Sequence, residues 1–186
     1  MSGVSKAIVQ PLLSWYDAGH RDLPWRSEPA PYRVWVSEIM LQQTRVEAVR
    51  GYFSRWMNAL PDIPALAAAD EAVYTKLWEG LGYYSRVRNL HRAAILLCEE
   101  YGGELPADYD RLLALPGVGE YTAGAVASIA FGLPVPAVDG NVLRVAARLD
   151  NDFTPITDAK FKKQTRERFA ALMPSDRPGD LNQSLM

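Results

Sequence analysis

The chain has 186 residues, 48% of them hydrophobic and 23% charged, a composition that supports a folded core divided between two lobes and argues against disorder. Its net charge of −2 and pI of about 5.7 provide no global positive field, so a nucleic acid would have to be held by local donors. One cysteine, Cys98, and two histidines, His20 and His91, exclude an internal disulfide and argue against a zinc site of the usual ligand count; no apolar run has membrane length or the form of a secretory signal.

Helical periodicity dominates and alternating runs are nearly absent, so the chain reads as all-α. Helices are expected near 5–17, stopped by Gly19, near 31–43, and near 45–59, stopped by Pro61. They continue near 70–79 and 85–101, the latter ended by Gly102 and Gly103, then near 108–114 and 119–131, ended by Gly132 with Pro134. The last are expected near 140–149 and 158–172, with another starting at about 180. Within 85–101, Cys98 falls with Ala94, Leu97 and Tyr101 at helical spacing and reads as a small buried hydrophobe rather than a reactive thiol. The segment KFKKQTRER, 160–168, alternates charges on what is most simply a solvated helix face.

Between the helices expected at 108–114 and 119–131 lies LPGVGEY. Pro116 ends one helix, Gly117 and Gly119 permit positive φ, and the following helix begins with amides that lack intrahelical partners. This is a helix-hairpin-helix pattern. The amides of Gly117 and Gly119 could bind one phosphate without any lysine, because the donors and the positive end of the helix dipole belong to the backbone. Taken alone, the segment also reads as a plain interhelical turn.

Two carboxylates stand out. Asp139, in VPAVDGNVLR, precedes a helical pattern and reads by itself as an N-cap. Glu38, in VWVSEIMLQQT, sits in an otherwise apolar helix, where a glutamate is less expected than on a charged surface. A carboxylate fixed at a helix start can stabilise developing positive charge, and a partly buried glutamate with a raised pKa can deliver a proton near neutral pH.

LPGVGEYTAGAV, AVDGNVLR, LPWR at 23–26, PYRVWVSEIMLQQTRV at 31–46, WEGLGYYSRVRNL at 78–90 and LNQSLM at 181–186 together resemble the helix-hairpin-helix base-excision glycosylases. Within that superfamily the chain is similar to the MutY-type adenine DNA glycosylases, over nearly its whole length and in the same order. The resemblance implies two helical lobes with a DNA-binding cleft between them, one lobe at about 25–131, with its hairpin at about 108–131, and the other assembled from 1–24 and 132–186. It implies Glu38 as the acid that protonates adenine at N7 and Asp139 as the stabiliser of the oxocarbenium ion, supported by Tyr121 and Asn141. It places Trp25, Arg26, Leu41 and Gln183 around the adenine, with Arg26 and Gln183 offering hydrogen bonds to the base edge. Gln43 and Tyr83 would enter or buttress the gap left by an extruded base, and Thr44 and Leu81 would approach the opposing 8-oxoguanine. Gly117, Val118 and Gly119 would contact the DNA backbone, and the carbonyls of Leu113, Leu115 and Val118 would hold a potassium or sodium ion.

The neighbouring reading is an endonuclease III-like enzyme, whose lyase step needs a lysine amine to form a Schiff base. That lysine would follow the residue after the second hairpin glycine, and here Glu120 and Tyr121 follow Gly119. A monofunctional glycosylase that leaves an abasic site is therefore expected. A non-catalytic DNA-binding fragment is the other alternative, and the presence of Glu38 and Asp139 argues against it; a purely structural scaffold explains none of the joint placement of these motifs. The family continues past LNQSLM into four cysteines that bind a [4Fe-4S] cluster and a further domain. These cysteines are absent, so the chain reads as truncated, with an incomplete second lobe and weak activity by itself. The expected setting is a monomer acting on double-stranded DNA that carries an adenine mispair, in the cytoplasm of a bacterium and associated with its nucleoid, with no membrane partner.

Overall fold

Residues 5–186 are described in a computed structural model, and among them every regular element is a helix. Residues 1–4, the start of the expected 1–24 segment, lie outside the described residues. A 3₁₀ turn at Lys6–Ile8 leads into α1 (Val9–Gly19), followed by α2 (Pro31–Leu41), α3 (Val46–Ala59), α4 (Ile63–Ala67) and α5 (Glu71–Trp78). Then come α6 (Ser85–Tyr101), α7 (Tyr109–Leu113), α8 (Glu120–Phe131), α9 (Gly140–Asp150), α10 (Ala159–Ala170) and α11 (Pro178–Ser184).

Two departures from the sequence reading have local causes. The helix expected to run to residue 43 stops at Leu41, because Gln43 takes the left-handed region at φ 56. The short helix α4, absent from the helices expected above, carries a proline that would interrupt a helix interior. Pro64 instead occupies the first turn, where no amide partner is needed, and Asp62 caps the helix by accepting the Ala65 amide at 2.8 Å.

The largest core gathers side chains from α2 to α8, with Trp35, Trp56, Trp78, Phe53 and Met40 at its centre. Buried polar ends find partners within it: the Tyr32 hydroxyl donates to the Leu60 carbonyl at 2.9 Å and accepts from Trp56 Nε1 at 3.0 Å. Val142, Ala146, Phe169 and Leu185 form a second cluster, and Val9, Leu13 and Leu181 a third.

The middle of α8 is built of small residues, Ala123 to Ser128, all buried, so other chain segments approach its backbone closely. A Cβ on Gly124 would lie 2.5 Å from the Pro136 carbonyl oxygen, and one on Gly179 would lie 2.8 Å from Ile129 Cα and the Ser128 carbonyl oxygen. These two glycines let the 132–139 connector and α11 lie directly on α8. Asn182 of α11 then fastens the connector. Its Nδ2 donates to Ser128 Oγ at 2.7 Å and the Val135 carbonyl at 2.9 Å, and its Oδ1 accepts the Ala137 amide at 3.0 Å. The connector ends at Asp139, while α2, on the same α8, carries Glu38.

Candidate active site

Glu38 is 6% exposed in a helix whose residues from Val34 to Met40 are all buried. Burial is the main influence on its carboxyl and raises its pKa to about 7; the Tyr121 hydrogen bond and the Arg26 charge pull it down, and Asp139 pushes it up. The Tyr121 hydroxyl donates to Glu38 Oε2 at 2.8 Å. Burial, then the Glu38 carboxylate, holds that phenol well above its ordinary pKa, so it remains a donor.

Asp139 is the N-cap of α9. Its Oδ1 accepts the amides of Asn141 and Val142 at 2.8 and 2.9 Å, and its Oδ2 accepts Asn141 Nδ2 at 2.7 Å. Arg144 Nη2 in turn donates to Asn141 Oδ1. Both carboxylate oxygens are therefore held in place, and the Asp139 side chain has one orientation.

Glu38, Tyr121, Asp139 and Asn141 line one cavity of about 210 Å³, together with Trp25, Arg26, Leu41 and Gln183. That volume is below the range of drug-sized ligand sites and suits a single small group. Trp25 is buried edge-on against Phe53, at 5.4 Å between ring centres, and Arg26 lies 5.6 Å from the centre of the Tyr16 ring. Thr44 also lines the cavity, and Gln43 lines an adjoining opening with Glu38, Tyr121 and Asp139. Tyr83 is 61% exposed and at φ 47, outside the lining of both. Leu81 differs from expectation: its side chain is 6% exposed within the large core, where it packs the 80–84 loop rather than facing outward.

In the hairpin, Gly117 is at φ +76, and a Cβ there would come 2.7 Å from Asn89 Cβ. Glycine is required on both counts. Gly119 corrects the sequence reading, because as N-cap of α8 it is extended, at φ −95, with nothing within 4 Å of a Cβ. N-cap residues occupy the β region, so no positive φ is called for. The Val118 side chain is buried and its amide donates to the Leu115 carbonyl at 3.1 Å. The amides of Gly117 and Gly119 have no backbone partner among the described residues.

Beside the hairpin, a cleft of about 820 Å³ runs from Gly119–Thr122 past Asp139 to Lys162, Lys163 and Arg166. Arg166 pairs with Glu120 across it, and Lys163 lies 3.9 Å from Glu167. The segment 160–168 is thus solvated on this side, with Phe161 and Thr165 turned into the protein.

Residues 36–173 match the family described as HhH-GPD superfamily base excision DNA repair protein. The chain belongs to the HhH-GPD superfamily. Among relatives of this HhH-GPD chain, an adenine DNA glycosylase of Mus musculus is 46% identical over 184 residues, covering 94% of this chain and 36% of the relative. An adenine DNA glycosylase of Mycolicibacterium smegmatis (strain ATCC 700084 / mc(2)155) is 43% identical over 166 residues, covering 89% of this chain and 56% of the relative. The chain thus spans between about a third and just over half of the length of these relatives. The structure of a thermostable thymine-DNA glycosylase superposes with a TM-score of 0.87 at 27% identity, covering 97% of this chain and 83% of the other.

Members of the HhH-GPD superfamily commonly carry a [4Fe-4S] cluster, which needs four thiolates. This chain has one cysteine, Cys98, half-buried on α6 against the large core, and the described residues hold no group of three or more His, Cys, Asp or Glu that could take a metal ion. The residues present do not fit the cluster.

Two residues that order the site were not anticipated. Asn182 carries little signal, because it is one of three adjacent polar residues in LNQSLM, with Gln183 and Ser184. Arg86 carries none, since most of its partners are backbone carbonyls, at the C-terminal end of α2 and in the 80–84 loop just before Arg86 itself.

Proposed function

We propose that the chain is the base-excising portion of an adenine DNA glycosylase, acting in base excision repair on adenine mispaired with 8-oxoguanine or guanine in duplex DNA. The observation that carries this reading is the buried Glu38, with a pKa of about 7, hydrogen-bonded to Tyr121 in the same cavity as Asp139. At pH 7 about half of such carboxyls hold a proton, against roughly 0.3% at the ordinary value near 4.5.

Adenine leaves poorly as an anion. In the proposed reaction the base is drawn out of the stack into the cavity formed by Trp25, Arg26, Leu41 and Gln183, and Arg26 and Gln183 hydrogen-bond its edge. Glu38 protonates N7 as the N-glycosidic bond lengthens, and the fixed Asp139 carboxylate stabilises the oxocarbenium charge on the sugar. Water completes the hydrolysis and leaves an abasic site. No lysine follows the residue after Gly119, which supports a glycosylase without the Schiff-base lyase step.

Gln43 and Tyr83 would fill the space the base leaves, Thr44 would approach the opposing 8-oxoguanine, and the amides of Gly117 and Gly119 would hold a phosphate at the start of α8. Leu115, Leu113 and Val118 present an all-oxygen set of carbonyls on the same turn, which suits a hard monovalent cation; such an ion would add positive charge beside that phosphate. A monomer with lobes at 25–131 and at 1–24 plus 132–186 would grip the duplex in the cleft between them.

The test is a single-turnover assay on duplex DNA with adenine opposite 8-oxoguanine, with and without alkali, comparing the parent chain with Asp139→Asn. Free adenine, with strand scission only after alkali and lost in the variant, is expected. Scission without alkali points to a lyase, and tight binding without adenine release points to a non-catalytic module.

A further inference from the structure

Arg86, at the start of α6, reaches two separate loops with one guanidinium. Its Nη1 donates to the carbonyls of Ile39 at 2.9 Å, Met40 at 3.1 Å and Gln42, all at the C-terminal end of α2, where carbonyls lack helical partners and a cation is favoured. Its Nη2 donates to the carbonyls of Leu81 at 3.0 Å and Gly82 at 3.2 Å, and both nitrogens lie within 3.5 Å of Thr44 Oγ1. The group sits 5.3 Å from the centre of the Trp78 ring and 5.6 Å from that of Tyr83.

Two of these acceptors have a particular place in the chain. The Gln42 carbonyl belongs to the peptide that joins Gln42 to Gln43, and the Gly82 carbonyl to the peptide that joins Gly82 to Tyr83. Gln43 and Tyr83 are, with Asn151, the non-glycine residues at positive φ among the described residues, at 56 and 47. Left-handed backbone is uncommon for such residues and persists where neighbouring groups fix it. Here a single guanidinium reaches both peptides, joined at the Gly82 carbonyl by Trp78 Nε1, which donates to it at 3.0 Å.

We propose that Arg86 is a positioning residue that locks the 42–44 and 80–84 loops together, so that Gln43 and Tyr83 present one preformed wedge to DNA. This rests on the reading that the chain extrudes a base from duplex DNA. An arginine is needed because its planar fork offers donors in two directions at once, whereas a lysine ammonium is a point charge that serves one loop or the other. Both side chains are exposed, Tyr83 at 61% even with the guanidinium beside its ring, so the lock acts on their backbone while the side chains stay accessible to the duplex.

The experiment uses a duplex with 2-aminopurine, a base whose fluorescence is quenched in the stack, placed opposite 8-oxoguanine. Asp139→Asn protein is the parent, so that the base is not released. Arg86→Lys and Arg86→Gln are compared in that parent and in one that also carries Gln43→Ala and Tyr83→Ala, with duplex affinity and thermal unfolding measured alongside. Arg86→Lys is expected to stay folded, to bind within about threefold of the parent and to lower the fluorescence gain about tenfold, with no further loss once Gln43 and Tyr83 are alanine. An unchanged gain, an equal fractional loss in both backgrounds, or a loss that only tracks a lowered unfolding temperature would overturn the proposal. A parent that binds the duplex with no gain overturns base extrusion itself, and this proposal with it.

Discussion

Tyr121 and Glu38, 83 residues apart in the chain, share a hydrogen bond of 2.8 Å in which the phenol is the donor. The bond favours the charged carboxylate, while burial favours the neutral acid and prevails, leaving the pKa at about 7. Base release should therefore decline as pH rises through about 7, because the proton-donating form is lost. In Tyr121→Phe the restraint on the pKa is removed, so the alkaline limb should move to higher pH. Single-turnover rates between pH 5.5 and 9, roughly the span over which such a group titrates, check this; a limb that stays in place would show that Tyr121 does not act on Glu38.

The same raised pKa has a cost in stability. The folded state binds the Glu38 proton more tightly than the unfolded chain, so Glu38 favours folding fully below about 4.5, and this contribution is lost as pH rises through about 7. At pH 8 Glu38→Gln, which buries no charge, should be more stable than the parent by up to about 3 kcal/mol, with the difference shrinking toward pH 5. Urea unfolding at both pH values measures it. Base release should fall by roughly 10²–10⁴ in the same variant, the usual range for a lost general acid.

Asp139→Asn and Asp139→Ala separate the two roles of that side chain. Asparagine is also a good N-cap, so the first variant should unfold within about 0.5 kcal/mol of the parent, while alanine should cost about 1 kcal/mol through loss of the cap to Asn141 and Val142. Both should lose adenine release to a similar degree. A difference in rate as large as the difference in stability would place the contribution of Asp139 in the fold alone.

How legible the site was depended on whether a residue's partners left a mark in sequence. Glu38 could be read because a carboxylate inside an apolar helix has few places to go but the interior, and Asp139 because caps are local and sit just before a helical pattern. The hairpin was read in outline, but the two glycines looked equivalent when only Gly117 needs its conformation. Leu81 was expected to approach the opposing base and its side chain is buried in the core, since a six-residue turn gives no periodicity to assign a face. Arg86 was illegible for a deeper reason: its acceptors are, apart from Thr44 Oγ1, main-chain carbonyls, which every residue has.

Gly117→Ala and Gly119→Ala should accordingly differ. Alanine at 117 must adopt φ +76 and displace Asn89, so a loss of about 1–3 kcal/mol in stability is expected, together with weakened DNA binding. Alanine at 119 has open space and an ordinary backbone, so its stability should stay within about 0.5 kcal/mol of the parent. Any effect there should appear in affinity for duplex, where the added methyl stands beside the amides offered to a phosphate. Equal destabilisation by the two changes would contradict this geometry.

Asn182 links the end of the chain to the position of Asp139. Truncation to alanine leaves the Ala137 amide and the Val135 carbonyl without the partners they have in the parent, and removes the donor to Ser128 Oγ. Unsatisfied buried groups of this kind destabilise by about 1–3 kcal/mol each, and a total of roughly 2–4 kcal/mol is expected because the connector can relax toward water. That relaxation is what reaches the chemistry. The connector ends two residues past Ala137, at Asp139, while Glu38 and Tyr121 are held by α2 and α8, so the variant should separate one carboxylate from the other without touching either. Base release should then fall at temperatures where the protein is still folded, and the pH limb set by Glu38 should stay near its parental position. Urea unfolding, single-turnover rates and their pH profile together check it. A variant that loses stability but keeps the parental rate while folded would show that Asp139 is held by its own cap alone.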